Sequence, residues 1–136
     1  MSLNVPSITC RLQNHTNTIA EYNHVIPLKR FPGKRYCYLS WNIKSQDPVN
    51  GKLKSLPNAC MIISVYNTRK QVIEASHTIE SPKYHDDTHI LWYSMWHMQT
   101  PLENIEAGSF ILLEVGLNYY YYTTYQTKLT HLLAYR

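Results

Sequence analysis

No apolar run in this chain approaches the roughly 20 residues that a membrane-spanning helix requires. The opening stretch Met1-Ser2-Leu3-Asn4-Val5-Pro6 also lacks the basic start and apolar segment of a secretory signal. Both absences point to the cytosol. Glycine is scarce: its four residues stand isolated at positions 33, 51, 108 and 116. The chain therefore has no glycine-rich loop to cradle phosphate and no dinucleotide fingerprint. The three cysteines, Cys10, Cys37 and Cys60, are odd in number and widely spaced, each within an apolar, strand-like run. Free cysteine acts there as a small core residue, which fits a reducing compartment and leaves the sequon Asn14-His15-Thr16 unused. The seven histidines can be paired on paper with serine or cysteine, yet no pair has a recognised nucleophile signature. The sequence thus reads as a non-enzyme that calls for no cofactor.

Hydrophobic residues make up 44% of the 136, enough for one packed core and too few residues for two. A single domain over 1–136 is expected. Its dominant period is two, the signature of strands. Between Tyr36 and Ile43, Cys37, Leu39, Trp41 and Ile43 share one face, and Tyr36, Tyr38, Ser40 and Asn42 share the other. The run from Ala59 to Tyr66 is almost wholly apolar, as a central strand buried on both sides would be. Asn67-Thr68-Arg69-Lys70 reads as a turn into the alternating Ile73, Ala75, His77 and Ile79, making these two runs the best hairpin.

Further strands are expected over Thr88–Met98, Ser109–Leu117, Tyr119–Gln126 and Leu129–Tyr135, with weaker patterns at Ser7–Leu12 and Thr18–Ile26. In the first, Ile90, Trp92, Trp96 and Met98 oppose Leu91, Tyr93 and Met95, which predicts cover on both faces. In the second, Glu114 interrupts an otherwise apolar face. Prolines fall at the borders of these runs, where they do least harm. One short helix, a turn or two at most, fits Thr100-Pro101-Leu102-Glu103-Asn104-Ile105-Glu106, with Thr100 as cap, Pro101 at the first helical position and Glu103 completing a capping-box spacing. The expected fold is an all-β, antiparallel β-sandwich of about eight strands.

The net charge of +4 conceals an imbalance: residues 1–70 sum to +8 and residues 71–136 to −4. The cations are densest at Lys29, Arg30, Lys34, Arg35, Lys44, Lys52 and Lys54, against Asp47 alone. Such a cluster attracts phosphate-bearing surfaces, lipid or nucleic acid. In Lys29-Arg30-Phe31-Pro32-Gly33-Lys34-Arg35 the aromatic Phe31 lies among four cations, an arrangement suited to an anionic membrane. The other reading is an ordinary solvated loop with Phe31 folded inward. Opposite charges on the two halves would also let copies pack head to tail, unless the halves neutralise each other within one sandwich.

His85, Asp87 and His89 share strand parity with His97 and are the candidate metal ligands. Their spacing matches no standard metal site, and a polar loop is the competing reading. Twelve tyrosines include Tyr119-Tyr120-Tyr121-Tyr122 and Tyr125. In a strand Tyr119, Tyr121 and Tyr125 would share a face, either as a self-association surface or as an aromatic ladder on the core.

The stretch Trp96-His97-Met98-Gln99-Thr100-Pro101-Leu102-Glu103-Asn104-Ile105-Glu106-Ala107-Gly108-Ser109-Phe110-Ile111-Leu112-Leu113-Glu114-Val115 resembles the late part of a C2-type β-sandwich: a tryptophan-bearing strand, a short connection and an apolar strand. The resemblance implies a module that docks on membranes or proteins. Calcium-binding members have several loop aspartates, whereas this chain has only Asp47, Asp86 and Asp87, so a basic surface would act instead. In kind alone, the chain is similar to the small, basic, self-assembling matrix proteins of negative-strand RNA viruses. The expected function is peripheral docking onto an acidic surface, foremost anionic membrane, through Lys29, Arg30, Phe31, Lys34, Arg35, Lys44, Lys52 and Lys54. Self-association through the Tyr-rich strands is a secondary expectation; a protein-binding adaptor and a nucleic-acid-binding β-barrel are the alternatives, and the rival class is a metal-dependent enzyme using the His85–His97 region.

Overall fold

The computed structural model describes residues 21–46, 58–117 and 126–136. Eight strands occur in chain order: β1 (Glu21–Pro27), β2 (Cys37–Gln46), β3 (Ala59–Tyr66), β4 (Val72–Glu80), β5 (Tyr84–His85), β6 (His89–His97), β7 (Phe110–Leu117) and β8 (Gln126–Tyr135). They form two four-stranded antiparallel sheets, sheet A in the order β1-β7-β3-β4 and sheet B in the order β5-β6-β2-β8. The architecture is the expected all-β sandwich. The expected strands at 7–12 and 119–126 fall outside the described residues, apart from Gln126, which opens β8.

The core is built by the period-two pattern. Leu39, Trp41 and Ile43 of β2 and Ile90, Trp92 and Trp96 of β6 face Met61, Ile63 and Val65 of β3 and Ile111, Leu113 and Val115 of β7. β3 is buried along its whole length, as its unbroken apolar run predicts, and it pairs with β4 as the expected hairpin. The Asn67 side chain holds the connecting turn by accepting the Arg69 and Gln71 backbone N–H groups. Lys70 there adopts φ 61°, a conformation that local side-chain bonding helps to hold.

Three expectations need correction. The outward face of β6 is open, with Tyr93 47% and Met95 50% exposed; two apolar faces in a sequence pattern do not require two covering layers. The short helical segment is present as a 3-10 turn at Leu102–Asn104, but it starts after Pro101 and has no side-chain cap. The capping box does not form because both partners are engaged elsewhere: Thr100 N–H donates to Glu74 Oε1 at 2.8 Å, and Glu103 reaches Arg35. Finally, the cysteines are not all free. Cys37 is a free, buried thiol whose burial pushes its pKa up to about 12. Cys60 is disulfide-bonded, and such bonds persist mainly in oxidising compartments, which weighs against the reducing setting inferred above.

Candidate docking surface

Residues 28–36 cross one end of the sandwich from β1 to β2. Their base is fixed by Leu28, which is 7% exposed and donates its N–H to Ser109 O at 3.0 Å. At the tip, Lys34 N–H donates to Phe31 O at 3.1 Å, with Pro32 and Gly33 in the middle and Gly33 at φ 79°. That is the hydrogen bond and residue choice of a type II turn, where the third position needs positive φ. The far limb is pinned when Arg35 and Tyr36 N–H donate to Arg136 O and Leu102 N–H donates to Arg35 O. A rigid base therefore presents a short, tight tip.

Lys29, Arg30, Lys34 and Arg35 are all exposed on this loop. Arg35 lies 3.8 Å from Glu103, both side chains about 70% exposed (71%/68%), and such surface pairs contribute little. Lys29, Arg30 and Lys34 make no ion pair among the described residues. Phe31 combines the two readings of the sequence: its ring stands edge-on to Tyr135 at 4.8 Å, yet it remains 44% exposed. Arg30, Phe31, Pro32 and Lys34 line an open depression of about 270 Å³ with Leu102 and Glu103.

Lys44 is not part of this cluster. It lies near the other end of β2, seven residues beyond Cys37, or roughly 23 Å at the rise of an extended strand. There it pairs in register with Lys128 on one side and Leu91 on the other. Proximity in sequence misled because the chain between is straight. Lys52 and Lys54 lie outside the described residues, as do Tyr119, Tyr121 and Tyr125.

The folded chain also redistributes the charge of its two halves. Each sheet draws strands from both. The strands of sheet A hold Glu21, Glu74, Glu80 and Glu114 and no Lys or Arg; those of sheet B hold Lys44 and Lys128 and no acid. Sequence reasoning missed this because only the strand order reveals it.

The histidine cluster resolves into a hydrogen-bonded turn. Asp86 Oδ1 accepts the N–H groups of Thr88 at 2.8 Å and His89 at 2.7 Å, and these bonds hold the Asp86 carboxyl below the usual carboxylate range. His89 Nδ1 lies 2.7 Å from the Thr88 hydroxyl. Among the described residues no three His, Cys, Asp or Glu side chains form a group able to hold a metal ion, so His85, Asp87 and His89 do not come together as ligands.

No protein-family model matches the chain, and no curated protein matches it. No helix among the described residues is long and apolar enough to cross a membrane.

Proposed function

We propose that this protein is a non-enzymatic docking module that binds anionic membrane through the loop at residues 29–35. The observation that supports this reading most directly is the exposure of four cations around a half-exposed Phe31 on a loop with a pinned base. Cations at a membrane surface contribute about 1 kcal/mol each through the negative surface potential. An aromatic ring among them can enter the interfacial region without an unpaired polar group to desolvate. The pinned base matters because ordering a floppy loop would offset much of that gain.

The test is co-sedimentation with phosphatidylcholine vesicles with and without phosphatidylserine, at low and high salt. Pelleting is expected only with the anionic lipid and is expected to weaken as salt rises. Lys34→Ala/Arg35→Ala should lose about 2 kcal/mol, roughly a thirtyfold drop in affinity. Its thermal midpoint should not change, because neither side chain is buried. Equal pelleting with neutral and anionic vesicles, or an unchanged affinity in the variant, would reject the reading.

A further inference from the structure

The outward side of sheet B differs from the usual solvated face of an antiparallel sheet, which is largely polar. Its rows follow from the register: Tyr84, Leu91, Lys44 and Lys128; then Tyr93, Asn42 and Thr130; then Met95, Ser40 and Leu132; then His97, Tyr38 and Ala134. Within it Leu132 is 63%, Met95 50% and Tyr93 47% exposed. On sheet A, by contrast, the outward residues of central strand β3 are buried, and the exposed Val25, Val72 and Ile79 lie on the two edge strands.

Resting on the membrane-docking reading above, we propose that the outer face of sheet B is the main membrane-contacting surface, so that the sandwich lies flat with sheet A turned away. Charge complementarity carries the assignment. No strand of sheet B contains an acid; Asp86 and Asp87 sit in the turn joining β5 to β6, where Asp86 borders the face beside Lys44, Tyr84 and Leu91 and its carboxylate is taken up by the Thr88 and His89 N–H groups. Lys44 and Lys128 lie side by side without an ion pair among the described residues. The most exposed apolar groups on it are Leu132 (63%), Tyr84 (53%) and Met95 (50%). The two aliphatic chains gain by leaving water for acyl chains, and the tyrosine rings suit the interface, with an apolar body and a polar tip. The face also continues into the basic loop: the Arg136 guanidinium lies 4.7 Å over the Tyr38 ring, and Arg136 O receives the Arg35 and Tyr36 N–H groups. Loop and face form one surface of cations and apolar side chains.

Two measurements on the full chain test this. Leu132→Glu should cut affinity for phosphatidylserine-containing vesicles roughly tenfold or more, as expected for loss of one inserted aliphatic side chain with an added like-signed charge. Val25→Glu, on the edge of sheet A, should leave affinity within twofold. Independently of any effect on folding, an environment-sensitive fluorophore at Leu132→Cys should shift to the blue on adding vesicles and resist an aqueous quencher, while one at Val25→Cys should do neither. If the loop variant abolishes pelleting but the label at position 132 stays in water on bound wild-type-like protein, the flat orientation is overturned and loop docking stands. Absence of pelleting under any condition overturns both. A shift at position 132 produced by single-stranded oligonucleotide or by protein concentration, and not by vesicles, overturns the proposal and gives the face to nucleic acid or to a second copy.

Discussion

Glu114 is a carboxyl group in a place made for apolar side chains. It is 7% exposed on central strand β7, flanked in register by Asn23 and Ile62, and its Oε1 has no hydrogen-bond partner among the described residues. Burial raises its pKa above the ordinary glutamate value, because the charged form loses hydration that no neighbour replaces. Unfolded chains release this proton near the ordinary glutamate value of about 4.3. At pH values between that point and the raised native pKa, the folded state holds one proton more than the unfolded state. Stability contributed by this group is therefore fully present below the unfolded pKa and falls as pH rises, by up to about 1.4 kcal/mol per pH unit. Replacing Glu114 by Gln keeps the shape and removes only the ionisation. At pH 7 the variant should be more stable than wild type by about 1 kcal/mol, within the usual cost of an unsatisfied buried polar group. For a domain of this size that is a rise in melting midpoint of about 3–4 °C. At pH 4 the two proteins should melt together. Chemical and thermal denaturation followed by tryptophan fluorescence from pH 4 to 8 makes the comparison. A Gln variant that is less stable than wild type, by the same amount at every pH, would mean that the native carboxylate is ionised and partnered, and the reasoning would fail.

One further substitution and one reagent probe the frame of the site. Gly108→Ala should destabilise by about 2 kcal/mol, since Gly108 has φ 94° and an added Cβ would come 2.8 Å from Thr68 Cγ2; an unchanged urea midpoint would contradict this. Cys37 should resist alkylation at pH 8, being buried, with its thiol pushed up to about 12 mainly by desolvation. Its labelling, followed by mass spectrometry, should track unfolding, and labelling as fast as that of a free thiol in native buffer would refute the burial argument.

The strands with a clear two-residue rhythm were legible in the sequence. Cys37, Leu39, Trp41 and Ile43 face the core as their spacing requires, and the Ala59–Tyr66 run is the buried centre of its sheet. The β3–β4 hairpin was legible because its turn is local. The pairings of β2 with β8 and of β1 with β7 were not, since they join residues about 90 apart along the chain and leave no local trace. The two-residue β5 is too short to have a period at all. Of the candidate site, the loop around Phe31 could be read because its residues are contiguous. The face of sheet B could not, because Lys44, Tyr93, Met95, Lys128 and Leu132 come from three separate strands and meet only through register. Alternation in β6 identified two apolar faces but not which of them would meet a second layer.

Sorting the charges by sheet has an effect before any contact is made. Two layers about 10 Å apart, one holding the partly exposed Glu74 and Glu80 and one the exposed Lys44 and Lys128, give the described sandwich an electric dipole across its thickness. Near a negatively charged plane the potential decays over about 10 Å at 0.1 M salt, so the nearer layer feels it roughly three times as strongly as the farther one. The result is a torque that turns the lysine side toward the plane during diffusion. The first encounter would then be made in a selected orientation, and lowering the salt would lengthen the distance over which that selection acts.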